Sequence, residues 1–148
     1  MNVPRSVVDD ALFQVVKGCF NWSYSSKHLQ HWSQTSLQPA VFVRRVDEDV
    51  SQTAGYGANR YALAYEVWVY CQVDWQNPEA DIYGQVINPI LDAIDEAMDA
   101  ARDPSGKNSL GTPGIDNARI SGKADIADGS TDGQALMVVP VKVWVRGK

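Results

Sequence analysis

The chain has only two cysteines in 148 residues, Cys19 and Cys71. They form no CxxC and no metal-ligand spacing, so neither a disulfide framework nor a cysteine zinc site can be built from them. Two buried, reduced thiols in a cytoplasmic product are expected. Positive charge is also short: 13 Lys and Arg stand against 18 Asp and Glu, a net charge of −5. That balance argues against a protein that binds nucleic acid by neutralising phosphates. The densest basic pair, Arg44-Arg45, is followed at once by Asp47, Glu48 and Asp49. No run approaches the ~20 apolar residues of a membrane helix. Asp9 and Asp10 interrupt the amino-terminal apolar stretch where the core of a signal peptide would sit.

Chemistry is scarce as well. No GxSxG or HExxH occurs. "GYGANR", Gly55 to Arg60, begins like a dinucleotide loop, but Arg60 replaces the last glycine and a strand follows. "SGKNS" has Asn108 where a phosphate loop needs Ser or Thr. His28 and His31 are three apart without further ligands nearby, and the acids Asp47, Glu48 and Asp49 read as a solvated run. "NWS", Asn21 to Ser23, matches a glycosylation acceptor but has no secretion signal to go with it. No catalytic residue, cofactor site or metal set emerges, so the expectation is a protein that is not an enzyme and carries no cofactor.

What is present is periodicity. Val7, Val8, Ala11, Leu12, Val15, Val16 and Cys19 recur at helical spacing, with Ser6 and Asp9 resembling a capping box and Gly18 a stop. Phe20 to Ala40 is aromatic and polar without a period and reads as a loop carrying Trp22, Tyr24 and Trp32. Pro39 leads into a strand, Ala40 to Val46, and the acidic, glycine-bearing segment Asp47 to Asn59 reads as a long hairpin tip. A second helix is expected from Asn77 as cap and Pro78 as first residue, with a stripe from Ile82 to Ala101. Pro89 inside it predicts a kink, or a restart with Asn88 as cap. Asp103 to Gly114 is a loop, Ile115 to Gly122 a short strand, and Gln134 to Gly147 a long one.

The order helix-strand-strand-helix-strand-strand predicts one α+β domain over residues 1–148, a mostly antiparallel twisted sheet with both helices on one face. One feature does not fit a half-solvated sheet. In "NRYALAYEVWVYCQVD" the second face offers Ala62, Ala64, Glu66, Trp68, Tyr70 and Gln72, too apolar for open water. Pro140 in the last strand cannot donate to a ladder, which suggests an edge or a bulge there. Either a neighbouring chain covers this face, or the Trp22–Trp32 loop does.

Read together, "LQPAVFVRRVDED", "VWVYCQVD", "VINPILDAIDEAM", "LGTPGIDNARISGKADIADG" and "GQALMVVPVKVWV" resemble the tail terminator family of long-tailed bacteriophages, with element order in register from Val7 to Val145. Pro89 departs from the family's helix. The resemblance implies a small subunit forming a ring, typically of six, on the last ring of a completed tail tube. Such a ring, assembled in the host cytoplasm and retained in the virion, stops polymerisation and offers a docking surface to the head-completion or neck protein. DNA passes through it without specific binding. On this reading Trp68, Tyr70, Glu66, Arg44, Pro140, Lys142 and Trp144 are candidate contacts with a neighbouring copy. Asp47, Glu48 and Asp49, or alternatively Asp125 and Asp128, are candidates for lining the channel or facing a partner. The rival readings are another neck or head–tail adaptor component, and a small enzyme or ligand-binding module around Trp22, His28 and Trp32.

Overall fold

The apolar period near the amino terminus produces α1 (Arg5–Gly18), whose Val8, Ala11, Leu12 and Val16 face inward. The computed structural model describes residues 1–52, 59–100 and 102–147. After α1 come β1 (Tyr24–Ser26), a 3-10 turn (Trp32–Gln34), β2 (Ala40–Gln52) and β3 (Asn59–Gln72). A π-helical turn (Tyr83–Ile87) runs into α2 (Asn88–Ala100), and β4 (Ile115–Ile120), β5 (Asp125–Ala127) and β6 (Gln134–Arg146) complete the order. The class is α+β, as expected. The sheet runs β1-β2-β3-β6-β4, with β5 also against β6. Every pairing is antiparallel except β1 with β2. The predicted Gly55 and Gly57 tip and the stripe position Ala101 lie outside the described residues.

Alternation along the strands builds the core. Val41 and Val43 of β2, Leu63 to Cys71 in steps of two on β3, and Ala135 to Val145 in steps of two on β6 share one face. Leu12 and Val16 of α1 and Ile90, Ile94 and Met98 of α2 close over them. Burial of each large aliphatic side chain contributes roughly 1.5–3 kcal/mol relative to exposure. Cys71 sits in this core, whereas Cys19, also expected to be buried, is only partly so; burial pushes both thiols up to about 11. Both are free thiols.

Several local expectations are corrected. The Ser6–Asp9 capping box does not form: Pro4 precedes the helix, and its carbonyl accepts from Val7 and Val8. Asp9 instead accepts from the Tyr65 hydroxyl. Asn77 caps an isolated turn, its Oδ1 accepting from the Glu79 N–H at 3.0 Å. The helical segment starts four residues later, where Asp81 Oδ1 accepts from the Gly84 N–H at 3.0 Å. Pro89 cannot donate to the Gln85 carbonyl, and the turn just before it is π-helical, with the Asn88 N–H bonding to the Tyr83 carbonyl. β2 continues to Gln52, so Asp47, Glu48 and Asp49 lie in a strand and not in a hairpin tip. A register shift between Arg45 and Asp47 marks a bulge.

Pro140 does not place β6 at an edge. β6 is central, between β3 on one side and β4 and β5 on the other. On that second side β4 stops opposite Val141 and β5 begins opposite Val138. The Pro140 carbonyl accepts from the Ser121 N–H at 3.0 Å on the same side. Its nitrogen therefore points into the gap between the two short strands, where no ladder bond is needed.

A buried polar residue ties α2 to the sheet. Asn108 is fully buried, its Nδ2 donating to the Met98 carbonyl at 2.7 Å and its Oδ1 accepting from the Leu110 N–H at 2.8 Å. Its own N–H donates to Asn117 Oδ1 at 2.9 Å. The Asn108 side chain thus satisfies a carbonyl near the end of α2 and fixes the loop at Leu110, while its backbone N–H ties that loop to Asn117 of β4.

Candidate functional site

The face of the sheet away from the helices is where the sequence posed its question, and it divides in two. At one end Ala40, Phe42 and Tyr70 are buried, with Tyr24, Leu29, Trp68 and Leu136 packed around them. Phe42 lies 5.8 Å from Tyr24 and 5.5 Å from Tyr70, ring centre to ring centre. The Tyr70 hydroxyl donates to the Gln30 carbonyl at 2.6 Å. The segment between Ser23 and Pro39, read from sequence as a loop, therefore contributes β1 and covers this end. Tyr70, at 3% exposed, is core and not an open contact.

Trp68 marks the boundary. Its indole N–H donates to Glu66 Oε1 at 3.1 Å, its ring meets Tyr70 edge-on, and the Arg44 guanidinium sits 5.3 Å above it. Arg44 also pairs with Glu66 at 2.8 Å. Beyond this cluster the face opens. Ala62, Ala64 and Glu66 on β3 and Val138, Pro140, Lys142 and Trp144 on β6 are all partly exposed, with Gly122 of the β4–β5 connection lying against the Pro140 ring. Trp144 stands across from Ala62 on one side and Asn117 on the other, with the Arg119 guanidinium 5.0 Å over its ring. Six of the seven predicted contact residues thus share one partly exposed surface; Tyr70 falls under the cover. Sequence reasoning missed Arg60, Asn117 and Arg119, which join that surface only through strand pairing.

The acidic trio is split by strand alternation. Asp47 and Asp49 pair across from Ala64 and Ala62 on the open face, and both are exposed. Glu48 points to the helix side, where the Arg5 guanidinium holds its carboxyl below the usual range. Asp125 is exposed on β5, and the Asp128 carboxylate accepts from the Ser130 N–H at 2.9 Å.

Chemically the molecule offers little else. Tyr65, on the helix side, is pushed well above the ordinary phenol range by burial and then by Asp9, so it is no base near neutrality. A cleft of about 160 Å³ over the β1 segment is lined by Tyr24, Gln30, Gln34, Thr35, Ser36 and Leu37, without Trp22, His28 or Trp32. Trp22 turns inward and donates to the Val16 carbonyl at 2.9 Å. Among the described residues, no three His, Cys, Asp or Glu side chains converge as metal ligands, and no helix is long and apolar enough to cross a membrane.

No family model and no curated protein sequence matches the chain. Among solved structures, the chain is similar to one from the virion of a native gene transfer agent particle, at 11% sequence identity and a TM-score of 0.50. The match covers 95% of this chain and 88% of the other, so the likeness extends over nearly the whole fold.

Proposed function

We propose that this protein is a structural component of a virion, a tail terminator that forms a ring on the head-proximal end of the tail tube. In this role it stops tube growth and presents the surface onto which the head-completion or neck protein docks. The observation that carries the reading is the open half of the sheet, where Trp68, Pro140, Lys142 and Trp144 stay partly exposed after the chain has folded. Aromatic residues and Arg are enriched at protein interfaces, and this surface sets Arg44 over Trp68 and Arg119 over Trp144. The fold shared with a chain from a gene transfer agent virion agrees with assembly in a particle. Burying one such tryptophan between copies contributes on the order of 1–3 kcal/mol.

A contact repeated head to tail closes into a ring, for which six copies is the proposed number. Asp47 and Asp49 are the proposed channel-facing acids, since Glu48 is engaged by Arg5. Like charge there would let DNA pass without adhering.

Adding the purified protein to tail tubes assembling in vitro is the test. Tubes are expected to stop at a fixed length with the protein at one end. Protein that binds tube ends but leaves the length distribution unchanged would identify a neck adaptor and contradict the terminator role.

A further inference from the structure

Two surfaces of this chain hold like charges that its own described residues leave uncompensated. On α2, Asp92, Asp95, Glu96 and Asp99 recur at i, i+3, i+4 and i+7, so they form one stripe, and all four are exposed. Among the described residues, only Asp99 of the four has a cation, Arg102 at 3.0 Å. Like charges at this spacing oppose the helix that holds them. Partial burial, then Asp99 and Asp92, raises the Asp95 carboxyl above its ordinary value.

On the open sheet face, the β4–β6 side carries the opposite sign, while Asp47 and Asp49 lie apart from it on β2. Arg119 of β4 stands directly across from Lys142 of β6, an arrangement that weakens a sheet pair. Arg60, Asn117, Arg119 and Trp144 line a cleft of about 290 Å³ beside them. Among the described residues, no carboxylate lies within 4.0 Å of Arg60, Arg119 or Lys142.

The helices cover one face of the sheet and the basic cluster occupies the other. The acids and the cations therefore look in opposite directions, and one molecule cannot bring them together. A second copy can satisfy both. We propose that the acidic stripe of α2 in one copy docks on the Arg119–Lys142–Trp144 surface of the next. This rests on the ring reading and specifies its contact. The contact is directional: a two-fold dimer through either surface would set like charge against like, whereas head-to-tail stacking sets acid on base at every joint.

The test uses charge reversal with sedimentation velocity at low salt. One variant carries Asp92→Lys, Asp95→Lys and Glu96→Lys; the other carries Arg119→Glu and Lys142→Glu. Each alone is expected to raise the protein concentration needed for assembly by about a hundredfold or more, with the fold checked by circular dichroism. An equimolar mixture is expected to restore assembly, because each variant then presents what the other lacks. Raising the salt is expected to weaken the wild-type ring.

If either variant assembles at the wild-type concentration, or the mixture assembles no better than its components, the contact is wrong while the ring stands. Wild-type protein that stays monomeric at low salt, both alone and with tail tubes, overturns the ring and the contact together. Duplex DNA bound by the wild type and released by Arg119→Glu with Lys142→Glu would assign the surface to nucleic acid and overturn the proposal.

Discussion

Trp144→Ala is expected to abolish ring formation while leaving the subunit folded. Its side chain faces away from the core and is partly exposed, with the Arg119 guanidinium over its ring and Arg60 and Asn117 beside it. A cation over a ring near the surface is worth about 0.5–1 kcal/mol, and the covered part of the indole adds a modest loss, while the core on the other face is untouched. At a joint between copies the same truncation removes the aromatic anchor from the middle of the contact, where tryptophan typically carries ~2 kcal/mol or more. A closed ring of six repeats that loss six times, ~12 kcal/mol in all, which moves assembly by many orders of magnitude in concentration. Sedimentation should show monomer where the wild type is fully assembled, with a melting temperature within a few degrees of the wild type. Trp68→Ala should behave differently. Trp68 packs against Tyr70, Arg44 and Glu66 of its own chain, so part of its loss falls on stability. A Trp144→Ala protein that assembles like the wild type would show that the open face is not the joint.

Asn108→Ala is expected to do the reverse, destabilising the subunit far from any proposed joint. The substitution leaves the Met98 carbonyl and the Leu110 N–H without their partner in a site closed to water. The cost is about 2–4 kcal/mol, a fall in melting temperature of roughly 5–15 °C for a chain this size. Asn108→Asp should cost more, because it removes the Nδ2 donor and introduces a buried carboxyl. Burial raises the pKa of that carboxyl in the folded state above its unfolded value. The folded protein then binds the extra proton, so stability should fall as pH rises from the ordinary Asp range towards neutrality. Urea unfolding at several pH values measures both effects. An Asn108→Ala protein within ~0.5 kcal/mol of the wild type would contradict the anchoring role.

The parts of the fold legible in the sequence are those written in apolar period. Val8 to Val16, Leu63 to Cys71 and Ala135 to Val145 announce their elements because one face of each is buried in a single core. The distal half of β2 was illegible for the opposite reason. From Arg44 to Gln52 only Glu48 is not exposed, so no alternation of apolar and polar residues marks a strand. β1 and β5 have three residues each and take their structure from the strands they join. Pro140 pointed to an unpaired position, which was right at the scale of one nitrogen and misleading at the scale of the sheet. Asn77 suits a cap as well as Asp81 does, and sequence alone does not weigh an isolated turn against a helix start.

The site was half legible. That the second face of β3 needs cover follows from Trp68 and Tyr70 by their position in the period. Which of them the chain covers itself depends on the Tyr70 hydroxyl reaching Gln30, a contact across 40 residues. The basic character of the open end was hidden because Arg60, Arg119 and Lys142 come from three strands far apart in sequence. Only pairing brings them around Trp144.

The most direct test is covalent tryptophan footprinting of the free subunit and of the protein assembled on tail tubes, read residue by residue by mass spectrometry. Trp144 is expected to lose most of its labelling on assembly. Trp22, which is engaged by its own chain in both states, should label equally and serve as the control. Trp144 labelled at the same rate in assembled and free protein would contradict the claim that sister copies cover this face.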